Sequence, residues 1–187
     1  QAIIENLTAR HPRVRGFTQE NKGTAAALNR GVRQASGKYL LPLGADDLIS
    51  KDYVAKAVAI LGGNERVKLA YGEAEFFGDR TGRWKLPPFD LHLLARKNIV
   101  YACGVFRRAD FDKAGGFCEE IIGREDWDFW ISLLKRDGEV VRIPTVCFYY
   151  RIHANSRRKA TRSRKRELID ILNTRHKAFF YRELGGR

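Results

Sequence analysis

Residues 20–50 read ENKGTAAALNRGVRQASGKYLLPLGADDLIS, a stretch that predicts a helix, a strand and an acidic loop in that order. Apolar residues recur at helical spacing over residues 24–36. Residues 38–43 are mostly apolar and predict a short strand. Two adjacent carboxylates, Asp46 and Asp47, follow this strand directly.

The order of the neighbouring elements predicts the fold class. Gly37 should end the first helix in the left-handed conformation, and Ser50 should cap a second helix that runs to Gly63. A further strand is predicted at residues 67–72. Helices and strands that alternate with short connections are typical of a parallel sheet flanked by helices. We therefore predict an α/β fold.

The second half of the chain has a more mixed pattern. Its clearest helix carries apolar residues at helical spacing from Trp127 to Leu134. The other predicted elements are a hairpin at 73–82, a short helix capped by Asp90, a strand at 102–106, a helical turn at 109–114, strands at 139–143 and 146–151, and a basic amphipathic helix at 163–183.

Composition indicates one globular domain. The 187 residues are 44% hydrophobic and contain no methionine. No stretch approaches the roughly 18 apolar residues of a membrane span, and no secretory leader opens the sequence. Three cysteines without metal-binding spacing favour a reducing compartment. We expect a cytoplasmic protein, and a trimmed chain because it starts with Gln1.

Positive charge is concentrated at the end of the chain. The formal net charge is +13, and residues 151–187 contain twelve Lys or Arg against three acidic residues. Such a field attracts phosphates of nucleic acid, of a nucleotide diphosphate or of an anionic membrane. A solvated helix face is the alternative interpretation.

The acidic pair, Asp46 and Asp47, lies where open α/β sheets collect ligands, at the end of a strand. Two adjacent carboxylates repel each other unless a cation is near. Hard cations such as Mg²⁺ or Mn²⁺ prefer oxygen ligands, and substrate phosphates often complete their coordination. The alternative is an ordinary turn in which aspartate caps a helix.

A second acidic cluster lies in GREDWDFW, residues 123–130, which places Glu125, Asp126 and Asp128 in the first turn of a helix. Stabilisation of the helix dipole could explain all three. If Trp127 faces the core, Asp126 should lie at its rim. With an ordinary pKa of about 4, it would be ionised and able to accept a proton from a hydroxyl.

Three motifs in this order resemble the inverting family 2 glycosyltransferases with the GT-A fold. Residues 20–50 are similar to the donor half of that family, GREDWDFW to its ED motif, and FYYRIH, residues 148–153, to its C-terminal Arg and His segment. The resemblance runs from about Asn21 to His153. It implies a mostly parallel, Rossmann-like sheet flanked by helices.

The resemblance also implies an organisation of the single domain. Residues 1–63 would be the donor-binding half, residues 64–155 the acceptor and catalytic half, and residues 156–187 a basic C-terminal helix. The first strand, helix and strand of the family would be absent, which would weaken nucleotide binding by this chain alone.

Roles for the acidic residues follow from the same resemblance. Asp46 and Asp47 match the region that binds a divalent metal, Mg²⁺ or Mn²⁺, and Asp46 would also serve the nucleotide-sugar diphosphate. His153 would approach the metal. Asp126 matches the catalytic base, with Glu125 as its partner near the acceptor.

Lys22, Asn29 and Arg151 match positions on the donor side, with Arg157 as a further phosphate partner. For these residues and His153, structural interpretations remain open. One departure from the family pattern concerns the metal: Gly44 stands where the first aspartate of the DxD motif is expected, so metal binding would be weaker or lost.

The expected function is transfer of a sugar from a nucleotide-diphosphate donor to an acceptor hydroxyl, with inversion, in bacterial polysaccharide or glycoconjugate synthesis. The acceptor would be a saccharide or lipid-linked, and the basic helix could contact an anionic membrane at the inner face. One alternative is a catalytically silent interaction domain, which Gly44 favours. Another is a nucleic-acid-binding module, but the basic residues lack interleaved aromatics and no such signature appears, so we expect no nucleic-acid partner.

Overall fold

The computed structural model describes residues 2–153 and 165–185. Its helices are α1 (Ala2–Arg10), α2 (Gly23–Gln34), α3 (Tyr53–Gly63), α4 (Leu91–Arg96), α5 (Arg108–Ala114), α6 (Glu125–Leu134), α7 (Lys165–Arg175) and α8 (Lys177–Leu184). Its strands are β1 (Tyr39–Leu40), β2 (Leu48–Ile49), β3 (Val67–Gly78), β4 (Gly82–Trp84), β5 (Phe106–Arg107) and β6 (Glu139–Ile152).

The main sheet has the strand order β2-β6-β3-β4. Its longest ladder is the parallel pairing of β3 with β6, and the short strands β2 and β4 pair antiparallel with β6 and β3. Strands β1 and β5 form a small antiparallel pair, which an isolated bridge between Ala70 and Val105 joins to β3. The α/β class is confirmed, and the described sheet is mixed around one dominant parallel ladder.

Strand β6 is one strand with a bulge, whereas the sequence predicted two strands. Ladder pairing passes from Gly72 with Ile143 to Glu73 with Val146, so that Pro144 and Thr145 have no partner in the ladder. A bulge is a position where a strand tolerates proline. Gly72 is required at this bulge, because a Cβ atom there would lie 2.4 Å from Sγ of Cys147.

Helix α6 is the centre of the core. The predicted stripe from Trp127 to Leu134 is confirmed, and the structure extends it, because every residue in that range is buried. Aromatic rings surround the helix: the ring centroids of Phe117 and Phe129 are 4.6 Å apart, and those of Phe106 and Phe129 are 4.8 Å apart. A helix that is buried on all sides must be covered on all sides, and its buried polar residues, Asp128 and Ser132, lie within this covered surface.

Helix α2 ends through a contact from another part of the chain. The helix stops at Gln34, and its extended C-cap is Ala35, so the predicted left-handed cap at Gly37 is wrong. The guanidinium of Arg108 donates hydrogen bonds to the carbonyls of Val32, Ala35 and Gly37, at 2.8, 2.5 and 3.1 Å. A cation at a helix C-terminus satisfies free carbonyls and opposes the helix dipole.

Of the two predicted N-caps, Ser50 is wrong and Asp90 is confirmed. Helix α3 begins at Tyr53 with Asp52 as N-cap, and the predicted cap Ser50 instead donates its hydroxyl to Asp52 at 2.7 Å. The cap of α4 is confirmed, because the Asp90 carboxylate accepts a hydrogen bond from the Leu93 amide at 2.7 Å. The hairpin of β3 with β4 is also confirmed.

The described part of the chain has two C-terminal helices where the sequence predicted one. In place of one helix over residues 163–183, the described residues form α7 and α8, which meet at His176. The predicted basic stretch before α7 lies mostly outside the described residues. The amphipathic pattern places Leu168, Leu172 and Phe179 on the inner side, where they are buried.

Contacts with the buried Asp128 attach these helices to α6. The fully buried Asp128 accepts hydrogen bonds from Arg175 Nε at 2.9 Å and from His176 Nε2 at 2.7 Å. His176 Nδ1 lies 3.4 Å from the Lys135 ammonium, which can only donate, so Nε2 of His176 carries its proton. From the sequence, Asp128 was expected only to stabilise the helix, and this contact was not predicted.

The ionisation of Asp128 depends on these partners. Burial opposes its charge, but the hydrogen bonds from His176 and Arg175 outweigh burial and lower the pKa of Asp128. Because the pKa is lower in the folded than in the unfolded state, the resulting stabilisation is complete above the unfolded-state pKa. It is lost as the pH falls through the folded-state pKa.

We therefore expect Asp128→Asn to lower the free energy of unfolding by roughly 2 kcal/mol at pH 7, because the buried His176 and the exposed Arg175 lose a charged hydrogen-bond acceptor. The deficit relative to the wild type should begin to shrink below about pH 4, where the carboxylate is protonated in the unfolded state, and should shrink further as the pH falls through the lower folded-state pKa. Chemical denaturation over a pH series measures both effects. Asp137→Asn, at an exposed site just after α6, is the matched control, and equal losses in the two variants would contradict the assignment.

Candidate functional site

The loop between β1 and β2 carries Asp46 and Asp47 to the end of β6. The Asp47 carboxylate accepts a hydrogen bond from the Arg151 backbone amide at 2.9 Å, and the Asp46 carbonyl accepts one from Arg151 Nε at 2.9 Å. Strand β2, which follows the loop, pairs with Tyr149 and Phe148 on β6. The acidic pair therefore lies beside the carboxyl end of the long parallel ladder, as ligand sites of α/β sheets do.

Gly44 leaves the space that these carboxylates occupy. A Cβ atom at residue 44 would lie 2.7 Å from Asp47 Oδ2 and 3.1 Å from Asp46 Oδ1. Both carboxylates thus converge on the open side of a glycine. Any side chain at residue 44 would require the pair to move.

His153 lies close to the same pair. Its Nε2 atom is 3.3 Å from Asp46 Oδ2, so the three predicted metal residues are neighbours. Within residues 2–153 and 165–185, however, no group of three or more His, Cys, Asp or Glu side chains converges closely enough to hold a metal ion alone. The protein would have to share the cation with other ligands.

The electrostatics of the pair favour a cation. Asp47 is half-buried, and its burial and the adjacent charge of Asp46 raise its pKa. The hydrogen bond from the Arg151 amide lowers the pKa, but by less. Two carboxylates suit Mg²⁺ or Mn²⁺, which bind through one or two carboxylates plus substrate phosphates. The donor set therefore fits a divalent cation that a substrate phosphate also coordinates.

Arg151 is arranged to present a positive charge beside this pair. Its guanidinium carbon lies 4.3 Å from the centroid of the Phe77 ring, on the paired strand β3, and the residue is exposed. The cation–π contact and the bond to Asp46 hold the group in place.

The other predicted donor residues lie apart from this contact. The amide of Asn29 donates to the Phe117 carbonyl and to Glu119, both at 2.9 Å, and accepts from the Phe117 amide at 3.0 Å. These bonds join α2 to the segment after α5, so the observed contacts of Asn29 are structural. Lys22 is exposed immediately before α2. Arg157 lies outside the described residues.

Asp126 lies at the start of α6, with its carboxylate held on both sides. Oδ1 accepts from the Trp127 amide at 2.8 Å, and Oδ2 accepts from the side-chain amide of Asn98 at 2.7 Å. Burial and the neighbouring charge of Glu125 raise the pKa of Asp126 to about 6. The expectation of an ordinary pKa is therefore wrong. A carboxylate with a pKa close to neutrality is the better general base.

Glu125 has an unsatisfied oxygen. Its Oε2 atom is buried, and none of the described residues gives it a hydrogen-bond partner. A buried carboxylate oxygen without a partner carries a large desolvation cost. A ligand hydroxyl would satisfy it.

The segment from Asn98 to Cys103 runs between the two acidic clusters. Asn98 contacts Asp126, and burial followed by the charge of Asp47 raises the pKa of the Cys103 thiol to about 12. Asn98 was not predicted from the sequence. An isolated asparagine in an irregular stretch carries no signal of its own, because its partner is 28 residues away.

No helix in the described part of the chain is long and apolar enough to cross a membrane.

Sequence comparison gives the family of the chain. Residues 1–115 match "Glycosyl transferase family 2". The "PGL/p-HBAD biosynthesis glycosyltransferase" of Mycobacterium bovis is 36% identical over 124 residues, which cover 65% of this chain and 48% of that protein. The "Chondroitin synthase" of Escherichia coli is 26% identical over 159 residues, which cover 82% of this chain and 23% of that protein.

Solved structures share the fold. The chain is similar to S. aureus TarS 1-349 in complex with UDP-GlcNAc, with a TM-score of 0.73 and 14% identity over 92% of this chain and 52% of that chain. It is also similar to the mannosyltransferase PcManGT from Pyrobaculum calidifontis in complex with GDP-Man and Mn²⁺. The TM-score is 0.61 and the identity is 20%, over 83% of this chain and 45% of that chain.

The chain spans about half the length of the mycobacterial relative and of each of these two structures. The family match covers more than half of the chain, and both structural neighbours are bound to nucleotide sugars. The chain belongs to glycosyl transferase family 2.

Proposed function

We propose that the protein transfers a sugar from a nucleotide-diphosphate donor to an acceptor hydroxyl with inversion at the anomeric carbon. The observation that carries this proposal is the Asp126 carboxylate, which is fixed by two hydrogen bonds and has a pKa of about 6. A fixed carboxylate that is mostly ionised at neutral pH is what direct activation of a hydroxyl requires.

In this mechanism the acceptor hydroxyl gives its proton to Asp126 as its oxygen attacks the anomeric carbon. The attack comes from the face opposite the diphosphate, and the bond between the anomeric carbon and the diphosphate oxygen breaks. The leaving diphosphate takes the electron pair. Inversion follows from this single displacement.

The acidic pair would serve the donor. Asp46 and Asp47, with His153 beside them, would hold Mg²⁺ or Mn²⁺ together with the diphosphate, and the cation would neutralise charge that develops on the leaving group. Arg151 would add a fixed positive charge to the same site. Lys22 and Asn29 would belong to the segment that lines the nucleotide side, and the side-chain contacts of Asn29 give it a structural role there.

Glu125 would bind the acceptor. Its buried Oε2 atom has no partner among the described residues, and a second hydroxyl of the acceptor could donate to it. Such a hydrogen bond would place the attacking hydroxyl next to Asp126. A saccharide acceptor, with neighbouring hydroxyls, suits this arrangement.

We expect Asp126→Asn to reduce kcat by about 10²–10⁴-fold, because asparagine cannot accept the hydroxyl proton. The affinity for the donor should stay within about twofold, since Asp126 does not contact the donor in this proposal. Transfer assays and donor titration on the full chain, with the exposed Asp137→Asn as control, measure both quantities. Retained turnover would contradict the role of Asp126.

We expect the double variant Asp46→Asn/Asp47→Asn to lose Mn²⁺-dependent binding of the nucleotide sugar, because it removes the anionic oxygens that would hold the cation. Calorimetric titration with and without Mn²⁺ measures the effect. The exposed Asp112→Asn variant should behave as the wild type. If the wild-type full chain binds no nucleotide sugar in either condition, the silent interaction domain is the better interpretation.

We also propose that the basic C-terminal part holds the protein at an anionic membrane surface at the cytoplasmic face, near lipid-linked acceptors of polysaccharide or glycoconjugate synthesis. The support is the excess of Lys and Arg in residues 151–187.

We expect the full chain to co-sediment with vesicles that contain acidic phospholipid, and to remain in solution with neutral vesicles. Raising the salt concentration should release it, because screening weakens surface electrostatics. Equal binding to both kinds of vesicle, or to neither, would contradict the membrane contact.

A further inference from the structure

Asn98 is held between two elements. It lies just after α4, in the segment that leads to the buried residues Ile99 and Val100. Its side-chain nitrogen donates to Asp126 Oδ2 at 2.7 Å, and its side-chain oxygen accepts from the Val100 amide at 3.3 Å. The second bond defines which end of the amide faces Asp126.

The surroundings of Asn98 are anchored at both ends. Before it, the Leu94 carbonyl accepts a hydrogen bond from the Trp127 indole at 2.7 Å. After it, the Tyr101 hydroxyl donates to the Gly72 carbonyl at 3.0 Å. The segment that carries Asn98 is therefore hydrogen-bonded to α6 on one side and to β3 on the other.

The two bonds to Asp126 define the orientation of its carboxylate. Oδ1 accepts from the Trp127 backbone and Oδ2 from Asn98, so rotation about the Cβ–Cγ bond would break both. A carboxylate oxygen can accept more than one hydrogen bond. Each oxygen therefore keeps capacity for a substrate hydroxyl while the group itself stays fixed.

We propose that Asn98 is a positioning residue for Asp126, which it holds in the single orientation that a hydroxyl must approach. The inference rests on the proposed function, because Asp126 is the base only if the protein transfers sugar. It adds a residue that acts through Asp126 and touches no reacting atom.

Charge around Asp126 makes the contribution of Asn98 measurable. Burial and the charge of Glu125 disfavour the ionised form of Asp126, and the hydrogen bonds from Trp127 and Asn98 favour it. The guanidinium of Arg124, the N-cap of α6, lies over the Trp127 ring at 5.6 Å. The other donors that lower the pKa of Asp126 are backbone amides, whereas Asn98 donates from its side chain and can be removed by substitution.

The test is the pH dependence of kcat/KM in the full chain, compared for wild type, Asn98→Ala and Asn98→Asp. The acid limb of the wild type should lie near pH 6, because protonated Asp126 cannot accept a proton. Asn98→Ala should move this limb upward by about one pH unit, a tenfold change in the ionised fraction below the pKa. The isosteric Asn98→Asp should move it further, because it adds a second negative charge.

Donor binding separates positioning from misfolding. In both variants the Kd for the nucleotide sugar should match the wild type, and the exposed Asn173→Ala on α7 should change neither quantity. An acid limb that stays in place in both Asn98 variants overturns the proposal. A shift that Asn173→Ala reproduces also overturns it.

A direct titration separates this inference from the proposed function. If Asp126→Asn keeps its turnover, the proposed function fails whatever Asn98 does. Carbon-13 NMR of the Asp126 carboxyl then decides the role of Asn98 alone. An upward shift of its titration in Asn98→Ala supports the positioning contact, and an unchanged titration overturns it.

Discussion

The parallel pairing of β3 with β6 is the constraint on which the rest of the structure depends. It joins residues about 70 positions apart, such as Ala74 with Phe148 and Phe77 with Arg151. Its bulge requires the absence of a side chain at Gly72, where the strands approach too closely for a Cβ atom. At its carboxyl end, the ladder places Arg151 and its neighbour His153 against the acidic loop. The position of the candidate donor site thus depends more on the register of β3 with β6 than on the sequence of the acidic loop.

Helix α6 gives three neighbouring acids three different environments. Asp128 is buried against Arg175 and His176 and has a lowered pKa. Asp126, two residues earlier, is held by Asn98 with its pKa raised to about 6. Glu125 keeps one buried oxygen without a partner among the described residues. Because successive residues on a helix point about 100° apart, one short motif serves both the attachment of the C-terminal helices and the candidate catalytic site.

The structure gives a second explanation for the glycine at residue 44. By comparison with the family pattern it is a missing aspartate. In the structure, it leaves the space into which the Asp46 and Asp47 carboxylates converge, so a side chain at residue 44 and the observed positions of this pair exclude each other. The glycine and the observed arrangement of the two carboxylates are therefore parts of one local geometry.

The sequence by itself determined the features that depend on near neighbours in the chain. Helical periodicity predicted α2 and α6, the Asp90 cap was predicted correctly, and three ordered motifs indicated the family. Only the tertiary structure decided that Arg108 would end α2 in place of Gly37, and that Asn98 would hold Asp126. The physical reason is the separation of the interacting residues along the chain, because periodicity and capping act within a few residues. Burial and long-range hydrogen bonds instead set the pKa of Asp126 and the position of the acidic pair, and these exist only after distant segments have packed together.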